Sequence, residues 1–157
     1  MIDLLDNGVL WWGLAACGSA QLSKLVIELI VHQRWNPRVL IETGGMPSSH
    51  SALMTGCAGG IGWQLGFADP LFALAATLCF VVLYDASGVR RAAGITAARV
   101  NTLSDAELAP LKENLGHTRL EVLVGSLIGP AVALPGLALV GSPLQLAISW
   151  GLLSPLG

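Results

Sequence analysis

Gly44-Gly45-Met46-Pro47-Ser48-Ser49-His50-Ser51 leads directly into Ala52–Phe67, a run with no charged side chain. Pro47 fixes φ and carries no amide donor, so it suits a helix start, and Ser48 or Ser49 can cap that start. The glycines before it let backbone approach a ligand closely. A helix N-terminus presents free N–H groups and partial positive charge, the setting in which a phosphate is held. The octapeptide therefore predicts a helix that enters an apolar phase with two hydroxyls and a titratable imidazole at its mouth. A plainer reading of the same residues is a capped helix with His50 facing solvent.

Composition decides the phase. Of 157 residues, 54% are hydrophobic and 11% charged, and the mean hydropathy is +0.69. Soluble domains carry roughly 25% charged residues, so an integral membrane protein is expected, one domain spanning 1–157. Met1–Asn7 contains Asp3 and Asp6 and no basic residue, which argues against a signal peptide. Cys17, Cys57 and Cys79 fall in apolar runs without zinc-type spacing and read as small packing residues.

A membrane helix needs roughly 17–25 mostly apolar residues. Segments meeting this run from about Val9 to Val31, Ser51 to Phe67, Leu71 to Tyr84 and Thr118 to Val140, with a shorter one from Leu144 to Leu156. The stretch from Asp85 to Gly116 is too polar to span. Within it, Ser104–Leu115 predicts an interfacial helix, with Ser104 as cap and Glu107 at the capping-box position. The fold class expected is thus an all-α membrane protein of about five transmembrane helices plus one interfacial helix. With five spans, Gln33–Ser49 and Asp85–His117 share one side. Arg34, Arg38, Arg90, Arg91, Arg99 and Lys112 lie in those loops, Arg119 opens the fourth span, and Lys24 sits in the near half of the first. All eight basic residues then mark one side, the cytoplasmic one.

Three groups of polar residues gather at that side. Gln21, Lys24 and Glu28, at i, i+3 and i+7, share a face of the first span, where ionisable groups usually face the protein interior. A Lys24–Glu28 pair that only joins helices is the structural alternative. Tyr84-Asp85-Ala86-Ser87-Gly88-Val89-Arg90-Arg91 places two arginines where they can clamp a phosphate or simply anchor the chain at the interface. Asp85 can orient an arginine or His50. His117 and Glu121, at i and i+4 in Leu115-Gly116-His117-Thr118-Arg119-Leu120-Glu121, meet on one helical face. A carboxylate bonded to one imidazole nitrogen sets the tautomer and frees the other as nucleophile or base. His32 has no such company and reads as a solvated loop residue. Two histidines, a carboxylate, a helix N-terminus and several cations are the parts of phosphoryl transfer.

Gly44–Ser51, Tyr84–Arg91 and Leu115–Val122 together resemble the divergent PAP2 family, related to acid phosphatases and vanadium-dependent haloperoxidases. The resemblance extends from about Gln21 to Gly129 and implies a PAP2-like helical bundle. Ordinary PAP2 phosphatases carry a Pro-Ser-Gly-His motif whose histidine is the acid, similar to Pro47-Ser48-Ser49-His50. His117 stands where their last motif has its nucleophile, and Glu121 replaces the orienting aspartate. Leu111 occupies the position, six before the nucleophile, that is arginine in those enzymes; Lys112 is the nearest cation. Lys24 and Arg38 are loose counterparts of the first motif.

The resemblance implies a phosphatase that needs no metal and no cofactor, acting on a lipid or isoprenoid phosphate or diphosphate. His117 would carry the phosphoryl group, Glu121 orient it, and His50 protonate the leaving oxygen. Lys24, Ser48, Ser49, Arg90, Arg91 and Lys112 would hold phosphate, with Glu28, Arg38 and Asp85 in support. The alternative is a non-catalytic membrane protein that binds or moves a phosphorylated lipid, and a third reading is a scaffold. The partners expected are the phosphorylated lipid and the membrane, bacterial-type plasma membrane or organellar, with no nucleic acid. The 19 glycines leave room for close helix packing and a homodimer.

Overall fold

The computed structural model describes residues 2–31, 33–40, 44–103 and 109–152. Every regular element among them is helical. A short α1 (Ile2–Leu5) precedes the long α2 (Gly8–Val31), and a single 3-10 turn, Pro37–Leu40, leads towards α3 (Ser49–Leu65). Then follow α4 (Pro70–Ser87), α5 (Val89–Leu103), α6 (Arg119–Leu139) and the seven-residue α7 (Pro143–Ser149).

Capping sets these boundaries. Ser48 is extended and its hydroxyl accepts from the Ser51 amide, so α3 starts one residue after it, and Pro47 lies outside the helix. Asp69 caps α4 just before Pro70 at the first helical position. Thr118 and Glu121 form a reciprocal capping box at the head of α6, as do Ser142 and Gln145 at α7. Pro130 and Pro135 lie inside α6 without ending it.

The packing inverts the soluble pattern. The buried apolar residues of α2, α3 and α6 are mostly small: Ala16, Ala20, Ala52 and Ala133 are fully buried. Phe80, Leu127 and Leu22 point outward with 71%, 63% and 58% exposure. Apolar surface outside and small residues within is the arrangement suited to lipid, where close backbone approach replaces the hydrophobic drive between helices. Gly125, Gly129 and Gly136 line one face of α6, and a Cβ there would collide with the Ser48 carbonyl, the Thr55 hydroxyl and the Trp12 ring respectively. α3 is the central helix, enclosed by α2, α4 and α6.

Among the described residues, three helical stretches are long and apolar enough to cross a membrane: Gly8–Val31, Pro70–Leu103 and Arg119–Ser149. The sequence predicts about five. The 17-residue α3 is shorter than these and sits inside the bundle. The expected last span, Leu144–Leu156, is helical only over Pro143–Ser149, and residues 153–157 lie outside the description. Two further expectations change. Val89–Leu103 is helical where the sequence suggested a polar loop, and residues 109–115 of the expected interfacial helix are not helical. Pro110 explains the second correction in part, since it can neither donate a helical hydrogen bond nor leave Ala109 free to be helical. Ser104 and Glu107, the expected cap of that helix, and His32 lie outside the described residues.

Candidate functional site

Four backbone or side-chain ties bring the polar segments to one end of the bundle. The Ser48 amide donates to the Glu121 carbonyl at 3.1 Å, and the His117 amide to the Ala86 carbonyl at 2.9 Å. Lys24 Nζ donates to the Gly44 carbonyl at 2.9 Å, and Gln21 Nε2 to the Leu40 carbonyl at 2.6 Å. The head of α3, the head of α6, the foot of α4 and the last third of α2 therefore meet.

Glu121 does two things at this end. One carboxylate oxygen, Oε2, accepts from the Thr118 amide at 3.0 Å and lies 3.2 Å from His117 Nδ1. Its place is fixed by the capping box, so the imidazole partner is held by a helix end rather than by a free rotamer. Nδ1 bonded to a carboxylate is the protonated nitrogen, which leaves Nε2 with its lone pair. His117 is buried, with 6% exposure. Burial pushes its pKa below the ordinary histidine value, while the Glu121 hydrogen bond and charge pull it back up and Lys24 and His50 add to the lowering.

His117 and His50 line the same small cavity, about 100 Å³ in volume, together with Arg90, Gly44 and Ala86. Of the two, His50 is exposed and His117 is buried. Arg90 is aimed by Asp85, its Nε donating to Oδ2 at 2.6 Å. Of the two partners open to Asp85, the arginine is the one it takes.

Arg91 does not join Arg90. It lines a second cavity of about 400 Å³, with Glu113, Asn114, Thr118 and Glu121. The two cavities adjoin through Gly44, Leu115, Gly116 and His117, which line both. Adjacent arginines at the start of a helix point about 100° apart, which is why one phosphate does not receive both.

The remaining expected residues have other surroundings. Lys24 is buried and its ammonium is engaged by Gly44, so it shapes the loop that forms a wall of both cavities. The Ser48 hydroxyl is occupied within α3, accepting from the Ser51 amide and from Ser51 Oγ at 2.8 Å. Ser49 is buried in the first turn of α3. Lys112 and Arg38 are exposed and line neither cavity. Glu28, half-buried on α2, lines neither cavity either.

The sequence reading missed what holds the 109–117 segment in place. Asn101 on α5 donates to the Leu111 carbonyl and to Glu113 Oε1, both at 2.8 Å, and accepts from the Leu111 amide. Gly116 has φ +75°, and a Cβ there would strike the backbone of Arg90 and Arg91. Gly94 offers the same bare surface from α5 to the Glu113 and Leu115 backbone. The one sequence signal for this was the glycine directly before His117. Among the described residues no group of three or more His, Cys, Asp or Glu side chains converges as a metal site.

The Divergent PAP2 family matches residues 5–132 of this chain. The chain is also similar to the uncharacterized membrane protein YuiD of Bacillus subtilis (strain 168), at 37% identity over 146 residues, covering 82% of this chain and 92% of that protein. No solved structure matches it. The family match takes in all three motifs and both cavities, so this membrane protein belongs to the divergent PAP2 family.

Proposed function

We propose that this protein is a metal-independent phosphatase that hydrolyses a phosphorylated lipid through a phosphohistidine at His117. The observation that carries the reading is the shared cavity: two imidazoles and one carboxylate-aimed guanidinium around a space of about 100 Å³. In the first step His117 Nε2 attacks phosphorus and the P–O bond to the alcohol breaks. His50, protonated, gives its proton to the leaving alkoxide. Water then attacks the phosphohistidine, His50 takes its proton, and phosphate departs with His117 restored. Glu121 stabilises the cationic imidazole through Nδ1, and Arg90 offsets charge on the equatorial oxygens. A site at the end of lipid-facing helices favours a substrate whose chain stays in the membrane while its head reaches His117. The clustering of basic residues supports a site facing the cytoplasm.

Phosphate release from a polyprenyl or diacylglycerol phosphate by purified protein is the direct test. His117→Ala is expected to abolish turnover, and vanadate to inhibit, as a mimic of the trigonal phosphoryl group. Undiminished turnover in His117→Ala would remove the assigned nucleophile.

A second reading is favoured by one observation. Of the cations expected to hold phosphate, only Arg90 lines the cavity of the two histidines. A protein that binds or moves a phosphorylated lipid without cleaving it needs no more. It predicts tight binding with no release, lost in Arg90→Ala and kept in His117→Ala.

A further inference from the structure

The cavity of Arg91 is four times the volume of the one between the histidines, at about 400 Å³ against about 100 Å³. Its size falls in the range of small-molecule sites, about 300–1,000 Å³. It opens off the wall that carries His117, so whatever occupies it is attached to, or lies beside, the phosphate at the histidines. Its lining is mixed, with the polar residues Arg91, Glu113, Asn114, Thr118 and Glu121 beside Gly44, Gly45 and Leu115.

Charge narrows the occupant. Arg91 stands among two carboxylates, Glu113 and Glu121, and the Lys24 ammonium lies behind the Gly44 wall, so neither sign of charge dominates. A second phosphate would meet the Glu113 and Glu121 carboxylates, and an ammonium group would meet Arg91. A neutral hydroxylated group meets neither penalty, because each hydroxyl can donate to a carboxylate and accept from the guanidinium. The carboxylates retain capacity for this. Glu113 Oε1 receives Asn101 and Glu121 Oε2 receives Thr118 and His117, whereas a carboxylate offers about four acceptor sites.

Resting on the phosphatase reading, we propose that the Arg91–Glu113 cavity is a subsite for a sugar or other polyol. The substrate is then a lipid whose phosphomonoester sits on a hydroxylated head group, and that head group is the leaving alcohol. Arg91 and Glu113 determine specificity, and Arg90 and the histidines do the chemistry. The reaction is the hydrolysis already described: the sugar oxygen leaves phosphorus and takes the His50 proton.

Three lipids with the same hydrocarbon chain test this: an alkyl phosphate, an alkyl diphosphate and an alkyl glucoside phosphorylated on its ring. Both kcat/KM for phosphate release and Kd in detergent micelles are measured for each. The expected result is a preference of tenfold or more for the glucoside phosphate over the alkyl phosphate. Glu113→Gln and Arg91→Gln should each reduce that ratio about tenfold, the effect of losing one hydrogen bond to a charged group. Arg91→Lys keeps the charge without the planar fork and serves if Arg91→Gln does not fold. A ratio near one, variants that leave the ratio intact, or a preference for the diphosphate that Arg91→Gln removes would each overturn the proposal. If no lipid releases phosphate, the phosphatase reading falls, and the Kd ratios alone then decide the subsite by the same criteria.

Discussion

His117 combines burial with a carboxylate partner, and the two act oppositely on its proton. Burial, the larger effect, lowers its pKa and Glu121 raises it. In the proposed mechanism the nucleophile must be neutral at Nε2, so activity should be lost as pH falls through the pKa of His117. Because that pKa lies below the ordinary histidine value of about 6.5, the acid limb of kcat/KM should fall on the acid side of that value. Glu121→Gln removes the raising charge, so the limb should move to still lower pH while kcat drops, the tautomer being less firmly held. A pH–rate profile of both proteins reads this; a limb that moves upward in Glu121→Gln would contradict the assignment. Lys24 shows a different lesson at this scale. Its position on the inner face of α2 was legible, but its engagement with Gly44, twenty residues away, depends on where the loop returns.

Helix ends and bare helix surfaces build the site at the level of elements. The α6 capping box sets Glu121, and Thr118→Ala should cost about 1 kcal/mol in stability. It should also reduce turnover, because the carboxylate that orients His117 loses its anchor. Thermal unfolding in detergent and phosphate release measure the two effects separately. Gly129 lies against Thr55 and Ala52 of α3 with no space for a methyl group. Gly129→Ala should therefore destabilise the protein by about 1–3 kcal/mol, as overpacking does, with no direct effect at the cavities. Gly94 makes the complementary case. Gly94→Ala pushes on the Glu113 and Leu115 backbone and should impair turnover more than stability. The sequence marked His117 and Glu121 as a pair, yet gave no sign that α5 would carry the segment before them.

For the whole molecule, the decisive property is that large apolar residues face outward and small ones inward. Phe80 is 71% exposed on α4, a position in one of the three stretches able to cross a membrane. Phe80→Asp should disturb insertion by about 2.5–3.5 kcal/mol if it lies near the membrane centre. The measurement is the share of protein in the membrane fraction, and an unchanged share would argue against a lipid-facing position. The same organisation explains how the motifs meet. Helices that run antiparallel return the chain to one end, and the site forms where α3 and α6 begin and α4 ends.

Residue types and their order determined the membrane setting, the helical class, the helix starts at Ser48 and Thr118, and the His117–Glu121 contact. These depend on local chemistry: hydropathy over a span, and caps within three residues, the one at Thr118 turning Glu121 back to His117 just before the helix. Tertiary structure alone decided the rest. It packed α3 inside the bundle, joined α5 to the site through Asn101 and Gly94, and brought His50 and His117 to the lining of one small cavity. It also sent Arg90 and Arg91 to different cavities and turned Lys24 towards a backbone carbonyl. Each of these is a contact between segments distant in sequence, set by how closely glycine and alanine faces allow the helices to approach.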